Sequence, residues 1–134
     1  MIMTKFQKRI TKLSKNCQFA IVVGTGFGYL EELLDLFDTV FVIADQPPSI
    51  KTKNLVYREN FEMFEQMPNI NFMFYDRDAV DKLDRSVGIW SRSSPMVIIE
   101  GEEVIGRDLS RSLYGNGYVA VHQETQYHVW RTRQ

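Results

Sequence analysis

The chain has 134 residues, a length that fits one domain with a substantial core. Hydrophobic residues make up 44% and charged residues 25%, which is typical of a globular protein. No apolar run approaches the roughly eighteen residues of a membrane span, and the Lys-rich start lacks the apolar block of a signal peptide. We therefore expect residues 1–134 to form a single domain with no membrane partner.

The single cysteine, Cys17, cannot form an internal disulfide and leaves no cysteine cluster for a metal. This usage fits a reducing cytoplasm, so we predict a cytoplasmic protein. The two histidines, His122 and His128, have no acids or cysteines at ligand spacing, and no metal site is predicted.

The net charge of −1 is unevenly spread. Residues 1–28 hold five basic side chains and no acid, whereas residues 29–84 hold twelve acids against five bases. A leading amphipathic helix is predicted within residues 1–18, because apolar side chains recur there at spacings of four, three and four: Phe6, Ile10, Leu13 and Cys17. Its basic outer face would suit a polyanion. The chain lacks an aromatic-basic RNA-binding pattern, which favours a solvated helix and leaves nucleic acid only as a candidate substrate.

Short apolar runs alternate with helical patterns along the rest of the chain. Seven runs predict strands: Phe19–Val23, Thr39–Ala44, Leu55–Tyr57, Asn71–Tyr75, Met96–Ile99, Tyr118–Val121 and Tyr127–Trp130. The helical patterns are marked by four apolar sets: Leu30, Leu33, Leu34 and Phe37; Phe61, Phe64 and Met67; Leu83 and Val87, ending near Trp90; and Leu109 with Leu113, stopped by Gly115 and Gly117. This alternation predicts an α/β fold with a mainly parallel central sheet covered on both faces, in three layers.

Two connections refine this fold. Only residues 122–126 separate the last two strands, which is too short for a parallel crossover and predicts a C-terminal antiparallel β-hairpin. Between the second and third strands, residues 46–54 include Pro47 and Pro48 and predict a rigid loop in place of a helix.

Glycines follow the first strand at alternate positions, Gly24, Gly26 and Gly28. Glycines at a strand tip remove the side chains that would keep a ligand away from the backbone. The free N–H groups of the following helix favour an anionic ligand group there. The second strand ends on Asp45, and an acid at that position can accept hydrogen bonds from the two hydroxyls of a ribose. Together these features predict a ligand that contains a nucleoside.

With this order of elements, the chain resembles the class I, Rossmann-like, S-adenosylmethionine-dependent methyltransferases over nearly its whole length. The loop similar to the family's glycine motif, GxGxG, is Gly24-Thr25-Gly26-Phe27-Gly28. The resemblance implies that this loop passes under the methionine part of S-adenosylmethionine and that Asp45 holds the ribose hydroxyls. It also implies a small-molecule cofactor and an enzyme whose methyl acceptor the sequence does not identify.

Three more residues enter through the same resemblance. Glu59 and Asn60 follow the third strand, where the family contacts adenine. Asp76 ends the fourth strand, where the family often has a residue near the reacting methyl group, and it would orient or deprotonate the acceptor. Each has a structural alternative: Glu59 as a first-turn helix acid, and Asp76 as a helix N-cap. Asp45 in turn could cap the loop that follows it.

The sequence leaves other functions open. Val22 stands where the family usually has an acid, and the chain is compact, which favours a non-catalytic Rossmann-like nucleotide-binding module or a substrate site completed by a second copy or partner. An NAD-binding oxidoreductase is disfavoured, because the fingerprint G-x-G-x-x-G/A would need a small residue where Tyr29 stands. Glu100 also follows a strand at this edge, but the neighbouring Gly101 and residues 102–103 suggest a solvated turn.

Overall fold

The computed structural model describes residues 2–62, 67, 70–101 and 107–132. The strands are β1 Phe19–Val23, β2 Thr39–Ile43, β3 Leu55–Arg58, β4 Phe72–Tyr75, β5 Met96–Glu100, β6 Tyr118–Gln123 and β7 Tyr127–Thr132. The α-helices are α1 Lys5–Leu13, α2 Leu30–Leu36, α3 Leu83–Trp90 and α4 Arg107–Gly115. Two 3₁₀ helices cover Arg77–Lys82 and Ser91–Ser93.

All seven strands form one sheet in the order β3-β2-β1-β4-β5-β7-β6. Strands β1 to β5 pair in parallel, whereas β7 is antiparallel to both β5 and β6. The predicted mainly parallel sheet and its closing antiparallel hairpin are therefore confirmed. The central strand β1 is fully apolar because it is covered on both faces.

Helices cover the two faces of the sheet and give three layers. On one face, β1 and β4 pack through Ile21 and Met73 against Leu83 of α3 and Leu113 of α4. The opposite face carries a second cluster that α1 and α2 cover with apolar side chains: Phe6, Ile10, Leu30 and Leu33. The leading helix is thus amphipathic as predicted, and a capping box of Thr4 and Gln7 defines its first turn.

Several boundaries differ from the sequence-based ones. Strands β6 and β7 each extend two residues beyond the predicted ends, because their hairpin pairing continues to Gln123 and Thr132. The connection between β2 and β3 contains no helix, as predicted. The helix predicted over Phe61, Phe64 and Met67 falls largely on residues 63–66 and 68–69, outside the described residues. Within the described chain, no helix has the length and apolar character needed to cross a membrane.

The topology gathers loops from distant parts of the sequence at one edge of the sheet. Parallel β1, β2, β4 and β5 all end there, at their carboxyl ends. The turn between β6 and β7 lies at the same edge, because Glu100 at the end of β5 pairs with Tyr127 at the start of β7. This edge carries every predicted ligand-binding residue.

Candidate functional site

A cleft of about 420 Å³ opens at this edge between the ends of β1 and β2 and the 3₁₀ helix after β4. It brings together four of the predicted residues, Gly24, Thr25, Asp45 and Asp76. The other residues that line it are Ala44, Gln46, Asp78, Ala79, Asp81 and Lys82.

Gly24 directly follows β1 and lines the cleft. Its N–H donates to the carbonyl oxygen of Ile43 at 2.8 Å, and its φ is +104°, a conformation that favours glycine. A Cβ on Gly24 would overlap the carboxylate of Asp76. Both backbone conformation and space therefore require glycine here.

Asp76 is 3% exposed and its carboxylate joins two segments of backbone. Oδ1 accepts a hydrogen bond from the Ala79 N–H at 2.7 Å and caps the 3₁₀ helix. Oδ2 accepts from the Gly26 N–H at 2.8 Å. Asp76 thus fixes the glycine loop against the 3₁₀ helix and forms part of the wall of the cleft.

Glu100 makes the equivalent connection one strand further along. Its Oε2 accepts a hydrogen bond from the Gly28 N–H at 2.7 Å, and its Oε1 accepts from the Arg77 N–H at 3.4 Å. Glu100 thus connects the end of the glycine loop to the residue that follows Asp76, a contact that the sequence did not indicate. Residues 102–103 of the predicted solvated turn lie outside the described residues.

Within the glycine loop itself, three backbone N–H groups are already bonded inside the protein. The Gly24 N–H is bonded to Ile43, and two carboxylates of the protein, Asp76 and Glu100, take the N–H groups of Gly26 and Gly28. The protein therefore supplies the negative charge that the strand-to-helix turn favours.

Asp45 extends into the cleft with a side chain that is 88% exposed. Its Oδ1 lies 3.4 Å from the Nζ of Lys82, across the cleft mouth. Exposed ion pairs of this kind contribute only about 0.2–1 kcal/mol, so a ligand can replace Lys82 at little cost.

The remaining predicted residues lie outside the lining of the cleft. The Phe27 side chain is 4% exposed and packs against Phe6 and Phe74 in the core. Glu59 and Asn60 are exposed after β3, and Asn60 Oδ1 accepts a hydrogen bond from the Glu62 N–H at 3.1 Å.

Four lining residues carry no motif and were missed from the sequence: Gln46, Asp78, Asp81 and Lys82. A usable signal exists for Gln46 and Asp78, since polar residues shortly after a strand at the carboxyl edge lie near any ligand bound there. The lining of the cleft therefore has four carboxylates, and Lys82 provides its single ammonium group. The carboxylates belong to Asp45, Asp76, Asp78 and Asp81.

Comparisons with known proteins find likeness in structure alone. No family model matches the sequence, and no curated protein matches it. The amino pentose methyltransferase CalS10 of Micromonospora echinaspora, solved with S-adenosylmethionine bound, is similar with a TM-score of 0.65 and 12% identity, over 96% of this chain and 89% of that one. The N-methyltransferase NodS of Bradyrhizobium japonicum WM9, solved with S-adenosyl-L-homocysteine, gives 0.60 and 9% identity over 97% and 87%.

A third similar structure is precorrin 8w decarboxylase of Methanobacterium thermoautotrophicum, with a TM-score of 0.60 and 15% identity over 100% of this chain and 92% of that one. Similarity at these identities concerns the fold, and it covers nearly the whole of both chains. The chain therefore has the Rossmann-like fold of the class I S-adenosylmethionine-dependent methyltransferases.

Proposed function

We propose that the cleft binds S-adenosylmethionine and that the protein is a methyltransferase dependent on this cofactor, with an acceptor still to be identified. The observation that carries this proposal is the combination of bare backbone at Gly24 with a strongly acidic lining. Four aspartates surround the space beyond the glycine, and Lys82 is the single basic residue in that lining.

The charge of the cleft discriminates between adenosine-containing cofactors. S-Adenosylmethionine has a sulfonium, an ammonium and a carboxylate, and so it is a net cation that the aspartates attract. The pyrophosphate of NAD would face the same aspartates. It would also need backbone N–H groups, and those of Gly26 and Gly28 already donate to carboxylates. The cleft therefore favours the sulfonium cofactor.

The predicted cofactor contacts are kept within this proposal. Asp45 would accept hydrogen bonds from the ribose hydroxyls, and its 88% exposed side chain supports that role. The loop from Gly24 to Gly28 would lie under the methionine part, with Phe27 anchoring it through the core. Glu59 and Asn60 would contact the adenine beyond the end of β3. Among the similar structures, CalS10 and NodS were solved with S-adenosylmethionine and its demethylated product, which supports this choice of cofactor.

The protein would contribute to methyl transfer mainly by aligning the acceptor with the methyl group of the cofactor. The sulfonium activates the methyl group, and a well-oriented acceptor can gain roughly 7–11 kcal/mol from placement alone. We propose that Asp76 acts by orientation instead of deprotonation, because both of its oxygens accept backbone N–H groups and taking up a proton would weaken those bonds.

We also propose that the protein is cytoplasmic. The single Cys17 supports a cytoplasmic location. A second copy or another protein would complete the acceptor site.

A thermal unfolding series tests the proposal with S-adenosylmethionine, S-adenosylhomocysteine and NAD as separate ligands. A ligand at a hundred times its Kd stabilises the folded state by about 2.7 kcal/mol, which raises Tm by several degrees in a domain of this size. We expect this shift with the two sulfur nucleosides. Gly26→Val should abolish it and Asp45→Ala should reduce the affinity by about tenfold, the loss of ~1.4 kcal/mol.

The matched control is Gly115→Ala, at the end of α4, where an added Cβ meets no atom within 4 Å. This variant should keep the full ligand response. A shift with NAD alone would overturn the proposal in favour of a redox protein.

A further inference from the structure

A second cavity, of about 430 Å³, opens on the opposite face of the sheet edge. It lies between the start of α1, the start of α2 and the turn that joins β6 to β7. Its lining residues are Thr4, Lys5, Phe6, Tyr29, Glu32, Glu124, Thr125, Gln126 and Tyr127. None of them belongs to the cofactor cleft.

Three aromatic rings form one wall of this cavity. Phe6 and Tyr29 are stacked, with centroids 4.2 Å apart and ring planes 10° apart. The Tyr127 ring meets both edge-on, at 5.4 Å from Phe6 and 5.7 Å from Tyr29. The Tyr29 hydroxyl donates to Gln126 Oε1 at 2.6 Å, which holds the ring in place. The wall is thus rigid and offers π faces or edges to a ligand.

Glu32 supplies the second feature. Its Oε2 is buried and has no hydrogen-bond partner among the described residues. Burial raises the pKa of the Glu32 carboxyl above its ordinary value; a hydrogen bond from Thr4 lowers this pKa and the nearby Asp35 raises it. A buried carboxylate oxygen without a donor is costly, and a cation bound beside this carboxylate offsets that cost.

Among the charged side chains around the cavity, Glu32 is the acid that we expect a ligand to pair with. Glu124 is paired with Arg9, which also lies 3.4 Å from His122 Nδ1. Lys5 is exposed at the rim, and within the described part of the chain no ion pair joins it to Glu32. An anionic ligand would bring its charge against the Glu32 carboxylate, whereas a cation would neutralise it.

We propose that this cavity binds a small primary or secondary amine in its ammonium form. The ammonium pairs with the carboxylate of Glu32, and the apolar part of the amine packs on the wall formed by Phe6, Tyr29 and Tyr127. A cation near such rings gains about 0.5–2 kcal/mol, more as it is desolvated. The volume is within the range of sites for small organic molecules.

The amine cavity is a neighbour of the cofactor cleft, and Glu100 links the two. Its Oε2 accepts from Gly28, which precedes Tyr29 of the cavity. Its Oε1 accepts from Arg77, which lies between Asp76 and Asp78 of the cleft. The two sites nevertheless have separate linings, so that amine binding is measurable without the cofactor.

The test uses 2-phenylethylamine as the probe, followed by two-dimensional NMR titration of the full chain. We expect saturable shifts that centre on Tyr29, Gln126 and Tyr127. Glu32→Gln should weaken the Kd at least tenfold, whereas Glu31→Gln, an exposed neighbour on the same helix, should leave it unchanged. The uncharged 2-phenylethanol should bind at least tenfold more weakly than the amine.

Two results would overturn the inference: equal affinities for the amine and the alcohol, or an unchanged Kd in Glu32→Gln. Circular dichroism and thermal unfolding of the variant establish that it is folded, and Tyr29→Leu provides a second variant that should weaken binding through loss of the aromatic wall. The S-adenosylmethionine response of Glu32→Gln should equal that of the wild type. A protein that binds the amine but no sulfur nucleoside would refute the proposed function alone.

Discussion

Asp76 and Gly26 are fifty residues apart in the sequence and are joined by a hydrogen bond of 2.8 Å between Oδ2 and the backbone N–H. This bond exists because β1 and β4 are adjacent parallel strands, so that the residues following them meet at one edge. The same carboxylate occupies the space that a Cβ on Gly24 would need. Glycine loop and aspartate therefore form one structural unit, and a change in either should disturb the cleft.

Gly24→Ala is expected to destabilise the protein by about 2–4 kcal/mol, since it combines an unfavourable φ with displacement of a buried carboxylate. Urea unfolding measures the change in the free energy of unfolding. The matched control is Gly88→Ala, in an exposed position of α3 where an added Cβ meets no atom within 4 Å. That change should stabilise by up to about 1 kcal/mol, from helix propensity. Equal effects of the two substitutions would contradict this account of Gly24.

Asp76→Asn should cost about 1–3 kcal/mol, because an amide can keep only one of the two acceptor oxygens and turns an NH₂ group toward a backbone N–H. Asp76→Ala should cost at least as much, since it leaves the N–H groups of both Gly26 and Ala79 without this acceptor. Urea unfolding again gives the comparison, and hydrogen exchange at the two amides shows whether the bonds are lost. Asp38→Asn, on an exposed residue before β2, serves as the control. Unchanged exchange at Gly26 would contradict the structural role.

The sequence was sufficient to predict much of the fold. Apolar runs marked all seven strands, and β1 was predicted with its observed ends, because a strand buried on both faces is apolar throughout. The short connection before Tyr127 was enough to require an antiparallel hairpin. The sheet order was not readable, since it depends on contacts between strands that are distant in sequence.

The site was only partly predictable for the same reason. Local chemistry suggested Asp76 as an N-cap, and the hydrogen bond to Ala79 agrees with that reading. The bonds from Gly26 to Asp76 and from Gly28 to Glu100 require knowledge of which strands are adjacent. The unpartnered oxygen of Glu32 was equally hidden, because it depends on how α1 packs beside α2.

Tyr75→Phe should destabilise the protein by about 1–3 kcal/mol, because it leaves the buried Trp90 N–H without its hydrogen-bond acceptor. The Tyr75 hydroxyl accepts a hydrogen bond from Trp90 Nε1 at 2.9 Å and also contacts Ser86 Oγ, all within the core under α3. Burial raises the pKa of this phenol, which keeps it neutral. Tyr114→Phe, at a 52% exposed position of α4, should change the stability by less than about 0.5 kcal/mol. Differential scanning calorimetry distinguishes the two, and similar Tm values for both variants would count against the buried network.

The last prediction concerns pH and Glu32 in the protein without ligand. Its pKa is raised in the folded state, so its contribution to stability is fully present below the unfolded pKa of about 4.3 and is lost as pH rises through the folded pKa. The groups around it include Asp35 on its own helix, and Lys5, Glu124 and Tyr127 across the cavity. Glu32→Gln removes the ionisation, and at pH 7 it should raise Tm by about 2 °C, corresponding to ~0.5 kcal/mol for a domain of this size.

At about pH 3 and below, the gain in Tm from Glu32→Gln should disappear, because the wild-type carboxyl is then protonated in both states. Glu31→Gln, on the exposed face of α2, is the control and should show no such pH-dependent gain. Thermal unfolding of the three proteins between about pH 3 and pH 8 measures the difference. A gain in Tm that is as large at pH 3 as at pH 7 would show that the effect comes from packing and not from the charge of Glu32.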